Sequence, residues 1–275
     1  MRTMRLSLVG VVLLALAGGP GGAVMAQEAA DTDAGGSGEV LFDIVVPPAS
    51  MPAKLGKVNL ERQTLEPGFD ASIGVDNESM RGRAAYVAEG ELQITPMGDA
   101  WLWRGEAATG GTPEVVVAGD TAALATGDLI YLPAVPAEGL DAEAVVGLTN
   151  PGTVPTTIVG FHVHQVGGGF PGWPLGMSGM AVATDSEPAA LERVMADDTT
   201  FRLSRVTYAP GSVIVPDEEV AMALAGVESG AVERRTATSD DEFTMGFSAG
   251  AGVSLGVPEG VERTWTTPEL SVPVP

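Results

Sequence analysis

The chain has 275 residues, of which 45 % are hydrophobic, so it can build one large or two ordinary packed domains. Its 36 acidic residues against 14 basic ones give a formal net charge of −22. Such an acidic surface repels phosphate backbones and anionic lipid, so we expect no binding to nucleic acid or to a membrane surface. There is no cysteine, which excludes disulfides, thiol chemistry and cysteine-linked lipid.

The first 26 residues have the pattern of a secretory signal peptide. Arg2 and Arg5 precede an apolar run over residues 6–17, and the segment ends on Val24-Met25-Ala26. We predict cleavage after Ala26, no membrane association after cleavage, and a protein that is secreted, extracellular or in the cell envelope. The alternative, an uncleaved anchor, is disfavoured because a bilayer needs about 20 apolar residues. Residues 27–39 are small and polar, and predict a flexible leader.

After this leader, short apolar runs alternate with Pro/Gly punctuation, as in VLFDIVV, AAYVAEGELQIT, DLIYLPAV and TTIVGFHVH. This spacing is typical of an all-β sandwich or barrel. Helical periodicity is scarce. Only residues 186–197 predict a short helix, with Ser186 as N-cap and an apolar face.

Two halves of the chain have the same order of features. Each contains a Pro-Gly turn (LEPG, YAPG), then a hairpin glycine (Gly90, Gly230), then a strand that ends on proline (TGDLIYLP, AGVSLGVP). The first half is longer, mostly around WLWRGEAATGGTPE, where we predict an extra hairpin. A duplicated β unit is the economical interpretation. The predicted domains are residues 40–166 and 195–275, joined by a Gly/Pro-rich connector with the short helix, residues 167–194.

This order resembles the cupin superfamily, whose members are double-stranded β-helix jelly-roll barrels, here twice in tandem as a bicupin. The spacing of the two family motifs fits the second half at Gly211, Asp217, Glu219, Ala223 and Gly230, then at Gly252, Pro258, Gly260, Arg263 and Thr267. In the first half it fits, with a slightly longer hairpin, at Gly68, Gly74, Asp76, Arg83 and Gly90, then at Gly127, Pro133, Val135 and Glu138. The glycines and prolines that serve the barrel are mostly kept.

The resemblance implies a metal site of imidazoles and one carboxylate inside each barrel, but these motif positions hold no histidine. Asp217 and Glu219, two apart on a strand, share a face opposite Arg263. Because arginine cannot ligate a cation, we predict an internal ion pair among the three in place of the metal, and no cofactor. Asp76 and Arg83 predict a similar pair in the first barrel, where Glu138 also lines the lumen. The alternatives are that these groups face solvent, or that Asp217 and Glu219 hold a hard cation.

His162 and His164 are the only histidines, and they share one face of a predicted strand. This is how two metal ligands are placed. However, Val159, Phe161 and Val163 form the opposite face, and we expect that face to enter the core. The histidines would then lie at the surface or between domains. They also lie outside the position that the cupin motif uses.

Aromatic side chains offer a further alternative, since stacked rings can bind sugars. Trp101 and Trp103 share a strand face, and we expect them to form an apolar patch against a barrel end or the partner domain. Phe170, Trp173 and Trp265 are the other candidates for such a platform.

The sequence therefore predicts an exported, acidic bicupin without the usual metal site that binds a small molecule or saccharide, or has a structural role. The first alternative is a metal-dependent cupin enzyme of isomerase, dioxygenase or decarboxylase type that uses His162 and His164. The second is an assembly role, including a homodimer, because cupins often pair through strand exchange.

Overall fold

A computed structural model describes residues 9–18, 36–52, 55–74, 81–134, 145–165, 177–183, 198–214, 222–237, 242–248, 252–254 and 262–266. Within these ranges the regular structure consists of β-strands and two short 3₁₀ turns, Pro48–Ser50 and Gly105–Ala108. The protein is therefore all-β, as its sequence predicts. The helix expected over residues 186–197 lies outside the described residues. In the described ranges there is no helix whose length and apolar character suit a membrane crossing.

The strands are numbered in chain order. In the first part of the chain they are β1 Val9–Gly18, β2 Gly36–Val46, β3 Leu55–Leu65, β4 Asp70–Gly74, β5 Arg81–Glu89, β6 Glu91–Thr95, β7 Ala100–Trp103, β8 Glu114–Val116, β9 Ala122–Ala125, β10 Leu129–Leu132, β11 Val145–Thr149 and β12 Thr156–Gln165. In the second part they are β13 Met177–Ala183, β14 Thr199–Tyr208, β15 Val213–Ile214, β16 Met222–Ser229, β17 Ala231–Ala237, β18 Glu242–Ser248, β19 Gly252–Ser254 and β20 Glu262–Thr266.

These strands form four antiparallel sheets. Sheet A has the order β19-β16-β1-β14-β2, and sheet B has the order β13-β3-β12-β5-β10-β7-β8. Sheet C has the order β4-β11-β6-β9, and sheet D has the order β15-β20-β17-β18. Sequential strands repeatedly lie in different sheets, which is typical of a jelly-roll arrangement.

Three apolar clusters hold the sheets together in the order C, B, A, D. One cluster joins sheets B and C and includes Leu65, Val87 and Leu148. A second joins sheets B and A, where Phe161 stacks on Phe201 with ring centroids 4.1 Å apart. The third joins sheets A and D. We call the pair B and C the first barrel and the pair A and D the second barrel. Sheets A and B therefore bury both of their faces.

The two barrels have matching strand orders. In sheet C, β4-β11-β6-β9 corresponds to β15-β20-β17-β18 in sheet D, and in sheet B, β13-β3-β12-β5-β10 corresponds to β2-β14-β1-β16-β19 in sheet A. The first barrel carries β7 and β8 in addition, and they pair with each other. The extra hairpin predicted around WLWRGEAATGGTPE is therefore confirmed.

The barrels exchange strands across the predicted domain boundaries. Strand β2 directly precedes β3 in the chain but pairs with β14 of the second barrel. Strand β13 precedes β14 but pairs with β3 of the first barrel. The boundaries at 40–166, 167–194 and 195–275 stay predictions. The sheets themselves draw strands from both sides of the connector.

The two expected hairpin glycines have a different role from the one predicted. Gly90 and Gly230 have φ values of 88° and 77°, in the left-handed region that favours glycine. However, β5 lies in sheet B and β6 in sheet C, and β16 lies in sheet A and β17 in sheet D. Each glycine therefore turns the chain from one sheet to the other instead of closing a hairpin.

Candidate functional site

A cluster of polar side chains lies on the inner face of sheet B, the face toward sheet C. Glu61 and Gln63 come from β3, Arg83 from β5 and His162 from β12. Strand β12 lies between the other two, so His162 is directly opposite Arg83 on one side and Asn59 on the other. The register alone therefore brings these groups together. We call Asn59, Glu61, Gln63, Arg83 and His162 the polar cluster.

Two hydrogen bonds and one ion-pair contact connect Arg83, Gln63, Glu61 and His162 in a chain. The Gln63 Nε2 donates to Glu61 Oε2 at 2.6 Å. The Arg83 Nη2 donates to Gln63 Oε1 at 2.8 Å. The His162 Nε2 lies 3.4 Å from Glu61 Oε2, with side-chain exposures of 9 % for His162 and 3 % for Glu61. A carboxylate and an imidazole are therefore buried together on the inner face of sheet B.

The same sheet face continues as an apolar core toward the other end of the barrel. Leu65, Val87 and Ile158 follow on β3, β5 and β12, and all three belong to the cluster between sheets B and C. The lumen of the first barrel thus has an apolar half and a polar half. The polar half borders a cavity with about 10 Å³ of room, which is roughly what one water molecule needs.

Gly160 sets the spacing around this cavity. A Cβ at this position would overlap the backbone carbonyl of Ala84 on β5. Only glycine therefore lets β12 and β5 approach as closely as they do. Gly160 and Ala84 line the cavity together with four members of the polar cluster, all except Asn59.

The expectation that the histidine face lies away from the core is wrong for His162. Val159, Phe161 and Val163 are buried, as predicted, but in the cluster between sheets B and A. His162 is buried as well, on the opposite face, which is the face toward sheet C. The alternation of apolar and polar residues along β12 correctly predicts one buried face. It cannot reveal that the other face of the strand is buried too. The side chain of His164 lies outside the described residues, although its backbone pairs with Lys57 and Arg81.

The predicted lumen residues have different outcomes. Arg83 and His162 are brought together, although the sequence assigned them to separate sites. Asp76, Glu138, Asp217 and Glu219 lie outside the described residues. The backbone of Arg263 lies in β20 opposite Thr236, but its side chain is not described. The ion pair of Asp217, Glu219 and Arg263 and the pair of Asp76 with Arg83 therefore stay predictions.

The described residues contain no group of three or more His, Asp or Glu side chains that could hold a metal ion. Glu61 and His162 supply two potential ligand atoms that already face each other. A closed zinc site needs four protein ligands and a catalytic one needs three. The polar cluster instead offers hydrogen-bonding groups: one guanidinium, two amides, one imidazole and one carboxylate.

The second barrel has a different ion pair on the corresponding face. Arg202 of β14 lies opposite Asp43 of β2, and its Nε donates to Asp43 Oδ2 at 2.9 Å. Counted back from the proline of the following Pro-Gly turn, Arg202 takes the place of Asn59. At the same count, Glu61 corresponds to Ser204 and Gln63 to Val206. The buried acid of the first barrel is therefore replaced by a serine.

Sequence reasoning missed Asn59, Glu61 and Gln63. They alternate with Val58 and Leu60 along β3, and all three are buried. Polar residues in such an alternation normally face solvent. A signal did exist at one position, because Gln63 corresponds to the apolar Val206 when both strands are counted back from the Pro-Gly turn.

Trp101 and Trp103 pack as the sequence predicts. Trp103 is buried in the cluster between sheets B and A, and Trp101 lies against it. The Trp101 ring centroid is 5.7 Å from that of Tyr131, and the Trp103 Nε1 donates to Gly111 O at 3.0 Å. Trp103 therefore packs in an apolar cluster, as expected. Phe170, Trp173 and the side chain of Trp265 lie outside the described residues.

No protein-family model matches the chain, and no curated protein matches it. Among solved structures, it is similar to vicilin from hazelnut (Corylus avellana) at 10 % identity, over 78 % of this chain and 72 % of that one, with a TM-score of 0.28. It is also similar to vicilin from tomato (Solanum lycopersicum) at 8 % identity, over 83 % and 71 % of the chains, with a TM-score of 0.25. TM-scores this low do not establish a shared fold, and the fold of this chain is defined by its own strand orders.

Proposed function

We propose that the protein is an exported, cupin-like module of two barrels that binds a small polar ligand, a saccharide or a small carboxylate, without catalysing a reaction. The observation that carries this proposal is the polar cluster in the lumen of the first barrel. The support for export is the sequence of the first 26 residues. The support for a cupin-like double barrel is the spacing of glycines and prolines, together with the matching strand orders.

Burial of the polar cluster is costly if the barrel is only a scaffold. A buried carboxylate loses its hydration, and hydrogen bonds or an ion pair recover only part of that free energy. The other half of the same lumen is filled by leucine, isoleucine and valine. An apolar filling was therefore available to this sheet face, and polar groups in its place favour a binding role.

The chemistry of the cluster fits a ligand with hydroxyl or carboxylate groups. Arg83 is only partly buried, and its planar guanidinium can bind a carboxylate through two parallel hydrogen bonds. Gln63, Glu61 and His162 can donate to or accept from hydroxyl groups. The cavity has room for about one water molecule. A ligand of this kind is larger than the cavity, so it enters only if the long Arg83 side chain moves toward solvent.

The proposal is tested by titration calorimetry and thermal unfolding of the full chain against three probe sets: neutral monosaccharides, uronic acids and small dicarboxylates. We expect one set to bind and to raise the melting temperature. Arg83→Met should weaken binding by about tenfold or more, since it removes a charged hydrogen-bond donor. The matched control is Arg235→Met, because Arg235 is exposed in the second barrel. The proposal fails if none of the probes binds, or if Arg83→Met binds as tightly as the control.

A metal-dependent enzyme is the second candidate, and the approach of His162 Nε2 to Glu61 Oε2 is what favours it. The test is metal analysis of the purified protein. A stoichiometric transition metal that is lost in both His162→Ala and His164→Ala would support the enzyme and would contradict the ligand-binding proposal. Retention of the same metal content in both variants would exclude a site built on the histidines.

A further inference from the structure

Strand β1 occupies a place in sheet A that a later strand occupies in sheet B. In sheet B, β12 lies between β3 and β5 and follows β11 directly in the chain. In sheet A, the corresponding place between β14 and β16 is taken by β1, residues 9–18. The second barrel is thus completed by a segment from the opposite end of the chain, which the sequence assigned to a signal peptide.

The pairing of β1 with its neighbours is extensive. It pairs with β14 along its whole length, from Val9 opposite Tyr208 to Gly18 opposite Thr199. It also pairs with β16 over Gly10 to Leu16. Without β1, both neighbours would leave a row of backbone N–H and C=O groups unpaired. Such edges readily pair with any extended segment that can supply the missing hydrogen bonds.

Few sequences can occupy the place between β14 and β16, because apolar clusters cover both faces of sheet A. On β14, Leu203 belongs to the cluster toward sheet B and Val206 to the cluster toward sheet D. On β16, Leu224 and Val227 are divided in the same way. A strand between them has to be apolar on both sides and needs a backbone N–H at every pairing position.

Among the terminal segments of the chain, only residues 9–18 have such a sequence. VGVVLLALAG is apolar throughout and contains no proline. The leader segment QEAADTDAG, residues 27–35, would bury three carboxylates. The segment after β20, residues 267–275, contains Pro268, Pro273 and Pro275, which cannot donate to a central strand ladder.

We propose that the space between β14 and β16 is a strand-acceptor site for one apolar, proline-free, extended segment, and that residues 9–18 are its occupant. The N-terminal segment then has two roles: it directs export, as its sequence predicts, and it completes the second barrel. Cleavage after Ala26 and pairing in sheet A compete for the same residues. The inference concerns sheet A only, so it does not rest on ligand binding in the first barrel.

The first test compares the full chain, produced in a cytosol where no signal peptidase acts, with a chain that lacks residues 1–26. Amide hydrogen exchange is measured in β14 and β16. We expect exchange there to be about tenfold or more faster in the shortened chain, because its amides lose their partners. A synthetic peptide of residues 9–18 with a lysine tail should restore both protection and melting temperature, whereas the same peptide with Leu13→Pro should not. Equal exchange in the two chains, or equal action of the two peptides, would overturn the proposal.

A second variant keeps the test decisive if the shortened chain does not fold. In the full chain, Leu13→Pro removes one backbone donor from the middle of β1. We expect faster exchange in β14 and β16, with unchanged exchange in β3 and β5 of the first barrel. Ala29→Pro in the predicted leader is the control and should leave all four strands unchanged. If Leu13→Pro exchanges like the control, residues 9–18 are not the occupant.

Discussion

In the first barrel, β3 presents Glu61 and Gln63 to the lumen, whereas at the corresponding positions of β14 the second barrel has Ser204 and Val206. The strand orders of the two barrels nevertheless match. The comparison shows that the strand order does not depend on what fills the lumen. Backbone hydrogen bonds and the apolar clusters between sheets specify the architecture, and they leave the lumen side chains to vary.

The barrels also differ in how their charged groups are placed. In the first barrel the Glu61 carboxylate is 3 % exposed, while in the second the Asp43 carboxylate is 21 % exposed beside Arg202. A third group of charges, Arg62, Arg205 and Glu228, lies between the barrels, with Arg205 Nε 2.9 Å from Glu228 Oε2. Removal of a partner should therefore cost most in the first lumen. The Glu61 and Asp43 variants below test that ranking, and the other variants compare the barrels at their strand contacts, their shared core and their buried phenols.

Gly160→Val should produce the largest loss of stability. A Cβ at Gly160 would overlap the Ala84 carbonyl, and backbone cannot move aside as a side chain can. We expect a loss of more than about 4 kcal/mol, at the extreme of single substitutions, and failure of β12 to pair with β5. Denaturant unfolding measures the loss in the free energy of unfolding. Gly147→Ala is the control, since its Cβ would lie 3.3 Å from Thr95 Cβ and a small shift relieves the contact. Equal stability of the two variants would contradict the close approach of the strands.

Phe161→Ala should weaken both barrels at once. Its ring stacks on Phe201 of sheet A at an interplanar angle of 5°, and both rings are fully buried. We expect a loss of about 3–5 kcal/mol, and one shared unfolding transition for both barrels. A double-mutant cycle with Phe201→Ala should give a coupling of about 0.5–1.5 kcal/mol. Additive effects, or two separate transitions by calorimetry, would show that the barrels are independent.

Glu61→Ala tests the polar cluster itself. The change removes the carboxylate that accepts from Gln63 Nε2 and lies 3.4 Å from His162 Nε2, so the buried Gln63 amide loses its acceptor. We expect a loss of about 2–4 kcal/mol, because breaking a buried pair costs more than the pair contributes.

Two control variants show whether the stability loss in Glu61→Ala is specific to the buried carboxylate of the first barrel. Asp43→Ala in the second barrel should cost less than Glu61→Ala, because its carboxylate is more exposed. Glu114→Ala should cost less than about 1 kcal/mol, since Glu114 is 64 % exposed and lies 3.7 Å from Arg104. A Glu61→Ala variant as stable as Glu114→Ala would show that the cluster does not contribute to folding.

Tyr131→Phe should have the smallest effect at neutral pH and a distinct effect in alkali. The Tyr131 hydroxyl donates to Ser50 O at 3.0 Å, so its loss should cost about 1 kcal/mol. Burial raises the pKa of Tyr131 well above its usual value. Below about pH 10 the phenol is neutral in both the folded and the unfolded chain, so its contribution to the free energy of unfolding is fully present. Above that pH the unfolded chain ionises first, and the free energy of unfolding falls as the pH rises.

Urea unfolding between neutral and strongly alkaline pH tests this linkage. In Tyr131→Phe the alkaline loss of stability should be shallower than in the unchanged chain. Tyr208→Phe makes the matching change in the second barrel, where burial also raises the pKa of the phenol. Identical alkaline slopes in all three proteins would contradict the burial of the two hydroxyls.

Much of the architecture was accessible from the sequence because it depends on local patterns. The alternation of Val159, Phe161 and Val163 predicted a strand with a buried face, and the excess residues around Trp101 and Trp103 predicted the β7–β8 hairpin. The motif spacing predicted Arg83 as a residue of the first lumen, and in the structure its guanidinium donates to Gln63 of β3. Glu61 could not be predicted in the same way, because a polar residue in an alternating strand looks the same whether water or a second sheet covers it.

By itself, the sequence determined the all-β class, the two copies marked by Pro-Gly turns and the net charge of −22, because propensity and turn chemistry act between near neighbours and charge follows from composition. Only the tertiary structure decided which strands pair across the copies. It placed β2 in the second barrel and β13 in the first. It also placed β1 between β14 and β16, and His162 beside Glu61. These outcomes depend on contacts between residues far apart in the chain, and a strand carries no local mark of which neighbours will complete its hydrogen bonds.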